Sequence, residues 1–246
     1  MNTNTDFTNI KALIFDYGGT LDTNARHWAK VLWEGFRAAG IPVSEEDFRE
    51  AYVHGERTLA RCPIIRSEDD FRVLLQKKVD IETRQLVETG RWQADERERQ
   101  EKAGKTADYC YAYARRTVTE SRQTLERLMK RYPLVLVSNF YGNIETILRD
   151  FGLDHCFGRV IESAVVGVRK PDPAIYRLGV EATGFKAGET LVVGDSYDKD
   201  VLPARAAGCR TVWLKGEGWT EKAEDESVPD AVITRLDQLL RMLPEA

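Results

Sequence analysis

Ala12-Leu13-Ile14-Phe15-Asp16-Tyr17-Gly18-Gly19-Thr20-Leu21-Asp22 decides the fold. Four apolar residues without polar alternation predict a strand covered on both faces, closed by an aspartate and a turn-forming glycine pair. The same grammar recurs at Leu134-Val135-Leu136-Val137, followed by Ser138-Asn139, and at Leu191-Val192-Val193-Gly194, followed by Asp195-Ser196. Two more apolar runs, Thr211 to Leu214 and Ala231 to Ile233, bring the strands to five, with Val160-Ile161 a further short extended piece. Helix-like segments alternate with them: Ile144 to Phe151, Ala174 to Ala182, Val201 to Ala207 and Leu236 to Met242. Gly152, Gly184 and Gly208 each follow such a segment, where a left-handed cap belongs. Strand–helix alternation of this kind predicts a doubly wound parallel sheet, an open α/β fold with right-handed crossovers.

The alternation breaks once. Between the first strand and Leu134 lies a long stretch with helical periodicity and no clear strand signal. Trp28, Val31, Leu32 and Phe36 share a helical face, as do Phe48, Ala51, Tyr52 and Leu59, and then Phe71, Leu74, Leu75 and Val79. A polar stretch, Asp95 to Lys105, leads into a long helix over Tyr109 to Met129. Arg91 to Glu101 reads as a solvated helix face. A segment this long cannot be a loop in a compact domain. The expected organisation is an α/β core of residues 1–22 and 119–246 with a helical domain of residues 23–118 inserted.

Composition narrows the function. The 246 residues carry 36 basic and 40 acidic side chains, net −4, so there is no polybasic field for nucleic acid or an anionic membrane. Met1-Asn2-Thr3-Asn4-Thr5-Asp6 lacks the basic and apolar regions of a signal peptide, and no apolar run approaches the ~20 residues that span a bilayer. Cys62, Cys110, Cys156 and Cys209 are widely spaced with no metal-ligand pattern, which predicts free thiols and a cytoplasmic protein. Nothing in the composition excludes a homo-oligomer.

Three strands thus end in compact reactive groups, and in an open parallel sheet ligands bind outside those ends. Asp16 and Asp195, with backbone carbonyls, form a hard oxygen set suited to Mg²⁺. Asp200 can brace metal-bound water or coordinate directly. Ser138 and the amides of Asn139 and Phe140 are expected to open a helix whose N–H groups hold a phosphate. Lys170, in Arg169-Lys170-Pro171-Asp172-Pro173, can balance phosphate charge and keep Asp16 ionised. Asp16 is then a competent nucleophile.

With these residues in place the chain resembles the haloacid dehalogenase-like superfamily of hydrolases, mostly Mg²⁺-dependent phosphatases. The resemblance rests on Phe15 to Asp22, Val137-Ser138-Asn139, Arg169 to Pro173, and Val193-Gly194-Asp195-Ser196 with Asp200, four motifs in order. It implies a Rossmann-like core with a helical, C1-type cap. It also implies that Asp16 is the nucleophile, that Ser138 and Lys170 bind phosphate, and that Asp195 is a metal ligand supported by Asp200. Thr20 would anchor the loop after the nucleophile, and Asp22 is equally a capping or a functional residue. The substrate class is a small phosphate monoester.

One position departs from the family. Most of its phosphatases carry an aspartate two residues after the nucleophile, where this chain has Gly18. Glycine keeps a carbonyl for the metal and loses the carboxyl, forfeiting acid–base help typically worth ~10²–10⁴ in rate. Three outcomes follow: a phosphatase that is slow, restricted to good leaving groups or supplied with an acid from elsewhere, such as the cap; another reaction of the superfamily, phosphonate or carbon–halogen cleavage; or a member that binds phosphorylated ligands or a protein partner without catalysis. Dehalogenases of the superfamily generally lose the acidic fourth motif that Asp195 retains. Phosphonate cleavage requires a cap lysine, and Lys30, Lys77, Lys78, Lys102 and Lys105 all read as solvent-facing. Specificity should reside in the cap, with Arg26, His27, Trp28, Tyr52, His54, Arg57 and the loop Arg61 to Arg66 as candidates, although the plainer reading of Trp28 is core and that of His27 and His54 surface or satisfied polar residues. Tyr109, Tyr111 and Tyr113 cannot share one helical face, so at least one is expected in the core.

Overall fold

A computed structural model of the chain describes residues 6–219 and 223–244, so Met1 to Thr5 of the N-terminal stretch lie outside it. Strand β1 (Ala12–Phe15) is followed by helices α1 (Trp28–Ala38), α2 (Glu45–Arg61), α3 (Phe71–Glu88) and α4 (Glu96–Leu128). Then come β2 (Leu134–Ser138), α5 (Ile144–Asp150), β3 (Arg159–Glu162), α6 (Ser163–Val166) and α7 (Ala174–Thr183). The chain closes with β4 (Thr190–Gly194), a single π-helical turn (Tyr197–Val201), α8 (Leu202–Ala206), β5 (Arg210–Leu214), β6 (Ala231–Ile233) and α9 (Leu239–Met242).

The six strands form one parallel sheet in the order β3-β2-β1-β4-β5-β6. This is a doubly wound α/β fold, as the strand–helix alternation predicts. The order reverses between β1 and β4, which is where a crevice opens outside the strand ends. Phe15 pairs with Leu136 on one side and Val193 on the other. Asp16, Ser138 and Asp195 therefore leave the same edge of three adjacent strands. The central strands β1, β2 and β4 are buried throughout, whereas β3, at the sheet edge, is exposed to half-buried until its last residue, the buried Glu162. An edge strand has less to cover, which is why only Val160-Ile161 stood out in the sequence. Ile14, Val135, Val137, Ile175, Tyr176 and Val192 pack together in the core.

The chain divides into two compact units, residues 1–27, 116–140 and 151–246, and residues 28–115 with 141–150. The first contains the sheet. The second is helical. In it, Ser44 caps α2 by accepting from the Asp47 amide at 3.1 Å, and Asp70 caps α3 by accepting from Val73 at 2.8 Å. Phe36 packs edge-on to Phe48 at 4.9 Å and Trp28 to Phe71 at 5.5 Å.

Helix α4 corrects three expectations. It is continuous over 33 residues, so Asp95 to Lys105 does not merely lead into it. The buried face begins at Arg99, whose side chain is 2% exposed and reaches Asp80 at 2.7 Å and Glu96 at 2.8 Å. Ala103, Ala107, Cys110 and Ala114 continue that face, so Arg91 to Glu101 is not uniformly solvated. Because Cys110 and Ala114 fill the buried positions, Tyr109, Tyr111 and Tyr113 are all half-buried and none enters the core. Val201 to Ala207 likewise differs from a plain helix, since Tyr197–Val201 is wound as the π-turn and only Leu202–Ala206 is α-helical. All four cysteines are free thiols, Cys62 exposed and the others buried. Among the described residues no helix is long and apolar enough to cross a membrane.

Candidate active site

Asp16 follows β1 and is 6% exposed. Its Oδ1 accepts from the Lys170 ammonium at 2.6 Å and from the Ser138 hydroxyl at 3.3 Å. Thr20 ties the first strand end to the fourth. Its hydroxyl accepts from the Asp195 amide at 3.0 Å and lies 2.9 Å from Asp195 Oδ1 and 3.3 Å from Asp16 Oδ2, either of which can take its proton. The Trp213 indole donates to the Asp195 carbonyl at 2.8 Å, holding that strand end from the β5 side. Gly19 has φ +96°, and a Cβ there would stand 2.5 Å from the Asp195 carboxylate, so the loop after the nucleophile can pass only as glycine.

Asp200, in the π-helical turn, is buried and held at both oxygens. Oδ1 accepts from Lys170 at 2.7 Å and from the Tyr176 hydroxyl at 2.8 Å, and Oδ2 accepts from the Ser196 amide at 2.9 Å. Lys170 thus spans two carboxylates. Burial alone would lower its pKa, but the charges of Asp16 and Asp200 outweigh that and hold it above the usual lysine value. Burial raises the Asp16 carboxyl, against the pull of Lys170. Burial and then repulsion from Asp200 and Asp16 push Asp195 well above the carboxylate range. Burial also pushes the Tyr176 phenol well up, so it stays a donor.

Asp16, Asp195 and Asp200 each offer an oxygen, all within 4.8 Å of one another. Three carboxylates facing one ammonium leave an excess of negative charge, which adds to burial in raising Asp195. A small divalent cation with oxygen preference relieves it, so the donor set fits Mg²⁺. Asp16 and Asp195 are the better donors, because Lys170, Tyr176 and the Ser196 amide already bond both oxygens of Asp200.

The other expected residues divide. No helix opens at Ser138: α5 begins only at Ile144, and the Phe140 amide donates to Ser163 Oγ at 3.2 Å, so it does not form part of a helical phosphate cradle. The Asn139 side chain instead clamps the lysine segment, donating to the Lys170 carbonyl at 3.1 Å and accepting from its amide at 2.9 Å. Asp22 accepts from the Gly19 amide at 2.7 Å, which makes it a turn-closing residue. Gly18 is exposed, and a Cβ added to it would meet nothing within 4 Å. Sequence reasoning missed Tyr176 and Trp213, and gave Ser196 a place in the fourth motif without a role. Only the placement of Tyr176 shortly after the Lys170-Pro171-Asp172-Pro173 turn could have flagged it.

Arg26 and His27 sit in the sheet-bearing unit, with the Arg26 guanidinium 3.4 Å from Glu217 and the His27 ring 5.1 Å from Trp219. Within the helical unit His54, Arg57, Arg61 and Arg66 are exposed, while Tyr52 is buried beneath the Lys78 ammonium, 4.5 Å from its ring centre. Lys78 is buried, against expectation. It pairs with Glu56 and lies 3.6 Å from Glu82, a carboxylate with no exposure and no hydrogen-bond partner at either oxygen.

Comparison with known proteins fits this geometry. The family model described as haloacid dehalogenase-like hydrolase matches residues 10–208. A glyceraldehyde 3-phosphate phosphatase of Pyrococcus furiosus is 36% identical over 132 residues, 52% of this chain and 55% of that protein. A phosphoglycolate phosphatase of Aliivibrio fischeri is 27% identical over an alignment covering 98% of this chain and 99% of that one. The chain spans about half the length of the first curated relatives it matches. Among solved structures, the magnesium-bound HAD-hydrolase YfnB of Bacillus subtilis has a TM-score of 0.60 at 20% identity, covering 96% of this chain and 99% of that one. A dehalogenase solved as an intermediate complex has a TM-score of 0.65 at 18% identity, covering 97% and 99%. At these identities the two structures speak to the fold alone.

Proposed function

The chain belongs to the haloacid dehalogenase-like hydrolases, and within that family we propose that it is a Mg²⁺-dependent phosphatase acting on a small phosphate monoester through an aspartyl-phosphate on Asp16. The observation that carries this is the pairing of Asp16 Oδ1 with the Lys170 ammonium at 2.6 Å, beside a second carboxylate, Asp195, in the same buried cluster. The names of the phosphoglycolate and glyceraldehyde 3-phosphate phosphatases support a compact, singly phosphorylated substrate.

In this reading Asp16 attacks phosphorus in line with the departing alkoxide, and water then cleaves the acyl phosphate, releasing inorganic phosphate and free Asp16. Lys170 and Ser138 neutralise and orient the phosphoryl oxygens, with the Asn139 amide as a further donor. Mg²⁺, held by Asp16, Asp195 and the Gly18 carbonyl, would supply charge neutralisation at the transferring group. Asp200 holds Lys170 in place. Gly18 offers no proton to the departing oxygen, so turnover is slow and favours good leaving groups. The helical unit, inserted after the first motif, serves as the cap. Phosphonate cleavage through a lysine imine is disfavoured, because Glu56 and Glu82 hold the buried Lys78 well above the ordinary lysine range although burial opposes them.

A panel of phosphate monoesters assayed with and without Mg²⁺ tests the proposal. Release of phosphate that depends on Mg²⁺ and vanishes in Asp16→Asn is expected; turnover surviving in Asp16→Asn would remove the nucleophile assigned here. Binding of ligands without turnover would favour the non-catalytic reading that Gly18 suggests.

A further inference from the structure

We infer that Tyr176 is a positioning residue for the reaction: its hydroxyl fixes Asp200 so that the Lys170 ammonium stays shared with Asp16. The inference rests on the phosphatase reading for its rate consequences, but its geometric content stands apart from it. Asp200 Oδ1 is the acceptor for two donors at once, Lys170 at 2.7 Å and Tyr176 at 2.8 Å, while Oδ2 is taken by the Ser196 amide at 2.9 Å. The two fixed donors pin the carboxylate plane. The third, the ammonium, also reaches Asp16 at 2.6 Å and is the one that must engage a phosphoryl oxygen.

Tyr176 acts on that sharing in two ways. A hydroxyl donated to Oδ1 withdraws charge from the oxygen that competes with Asp16 for Lys170, so less of the ammonium is drawn toward Asp200. The ring also forms a wall on the lysine, with the Lys170 nitrogen 5.5 Å from its centre, which limits where the side chain can swing. The rest of Tyr176 is ordinary core, fully buried next to Ile175 among residues of β1, β2 and β4. Its hydroxyl therefore sits at the end of a rigid side chain rooted in α7 and packed against the sheet. A residue needed only to fill that space would be served by phenylalanine.

Tyr176→Phe keeps the ring and deletes the donor. Removing one hydrogen bond to a charged group should lower kcat about tenfold on p-nitrophenyl phosphate at saturating Mg²⁺, with KM changed less than about twofold. Ile175→Val, which loosens the same core without touching Asp200, controls for packing and should leave kcat unchanged at a comparable loss of thermal midpoint. Crystal structures of wild type and Tyr176→Phe supply a readout that needs no turnover, and the ammonium is expected to shift away from Asp16 toward Asp200. Unchanged kcat in Tyr176→Phe, or a loss matched by Ile175→Val, would overturn the inference. If the wild-type protein turns over no phosphate ester, the phosphatase reading fails on its own. The structures then decide: an unmoved ammonium refutes the positioning role, and a displaced one sustains it.

Discussion

Lys170 and Lys78 are both lysines withdrawn from water between two carboxylates, one at the sheet edge and one inside the helical unit. Their surroundings differ in how the carboxylates are satisfied. Around Lys170 the pair is completed by neutral donors, Tyr176 and the Ser196 amide on Asp200 and Ser138 on Asp16. Around Lys78 the close bond goes to Glu56, which is half open to solvent, and Glu82 is left 3.6 Å away with no hydrogen bond. Burial then dominates and pushes the Glu82 carboxyl up to about 7, despite the ammonium beside it. A buried ion pair is only as good as the hydrogen bonds that satisfy its remaining oxygens. The sheet-edge cluster meets that condition with residues from four separate segments, whereas the helical cluster does not.

The comparison predicts opposite consequences for the two lysines. Lys170→Met should lower kcat by about 10²–10³, the usual cost of deleting one preorganised electrostatic partner of the transferring group. Lys78→Met should instead lower stability, by about 3 kcal/mol for breaking a buried pair, with kcat per folded molecule within about threefold of wild type. Steady-state kinetics beside urea unfolding separates them. A matching loss of kcat in Lys78→Met would break the contrast and draw that lysine into the reaction.

Glu82 sharpens it further, through pH. Its folded pKa of about 7 lies above the 4.5 of an ordinary glutamate, so the folded state retains a proton that the unfolded state has lost. The protonated carboxyl therefore contributes stability that is fully present below about pH 4.5 and is lost as pH rises through 7. The loss should be about 3 kcal/mol across that window, and flat above it. The titratable groups facing Glu82 are Lys78, Glu56, Tyr52 and Cys110, of which Lys78 and Glu56 carry the charge. Glu82→Gln should remove this pH dependence and unfold later than wild type at pH 8. Parallel curves for the two proteins between pH 5 and 8 would mean that Glu82 is ionised throughout and satisfied in some other way.

The two clusters were also unequally legible. Asp16, Ser138 and Asp195 announce themselves because each ends an apolar run, and parallel strand ends converge by topology. Asp200 follows from its spacing to Asp195, and Thr20 from the resemblance to the superfamily's first motif. Tyr176 does not, since an aromatic on a core-facing helix position looks the same whether or not its hydroxyl finds a partner. Lys78 reads as solvent-facing, and Glu82 draws no reading at all, for the opposite reason. Charged side chains on a helix default to solvent, yet both continue the buried stripe of Phe71, Leu74, Leu75, Val79 and Leu86 at helical spacing. The stripe was the better guide. A supporting signal is Gly55 in the middle of α2, where a Cβ would stand 2.9 Å from Glu82 Cγ: the glycine makes room for the buried glutamate.

Gly18 supplies the smallest effect and tests the sheet-edge cluster from its open side. Because a Cβ there meets nothing within 4 Å and the φ is ordinary, Gly18→Asp introduces a carboxyl without steric rearrangement. A solvent-facing carboxyl two residues after the nucleophile can protonate a departing oxygen, so kcat on alkyl phosphates should rise about tenfold, toward the low end of acid–base contributions because its position is not preorganised. On p-nitrophenyl phosphate, whose leaving group needs no proton, the gain should be less than about twofold. That ratio is the diagnostic quantity. An equal gain on both substrates would mean the new carboxylate acts through the cation or through Lys170 and not as an acid. No gain on either, alongside brisk wild-type turnover of alkyl phosphates, would mean the proton already comes from another group, and the cluster around Lys170 is more complete than its own residues account for.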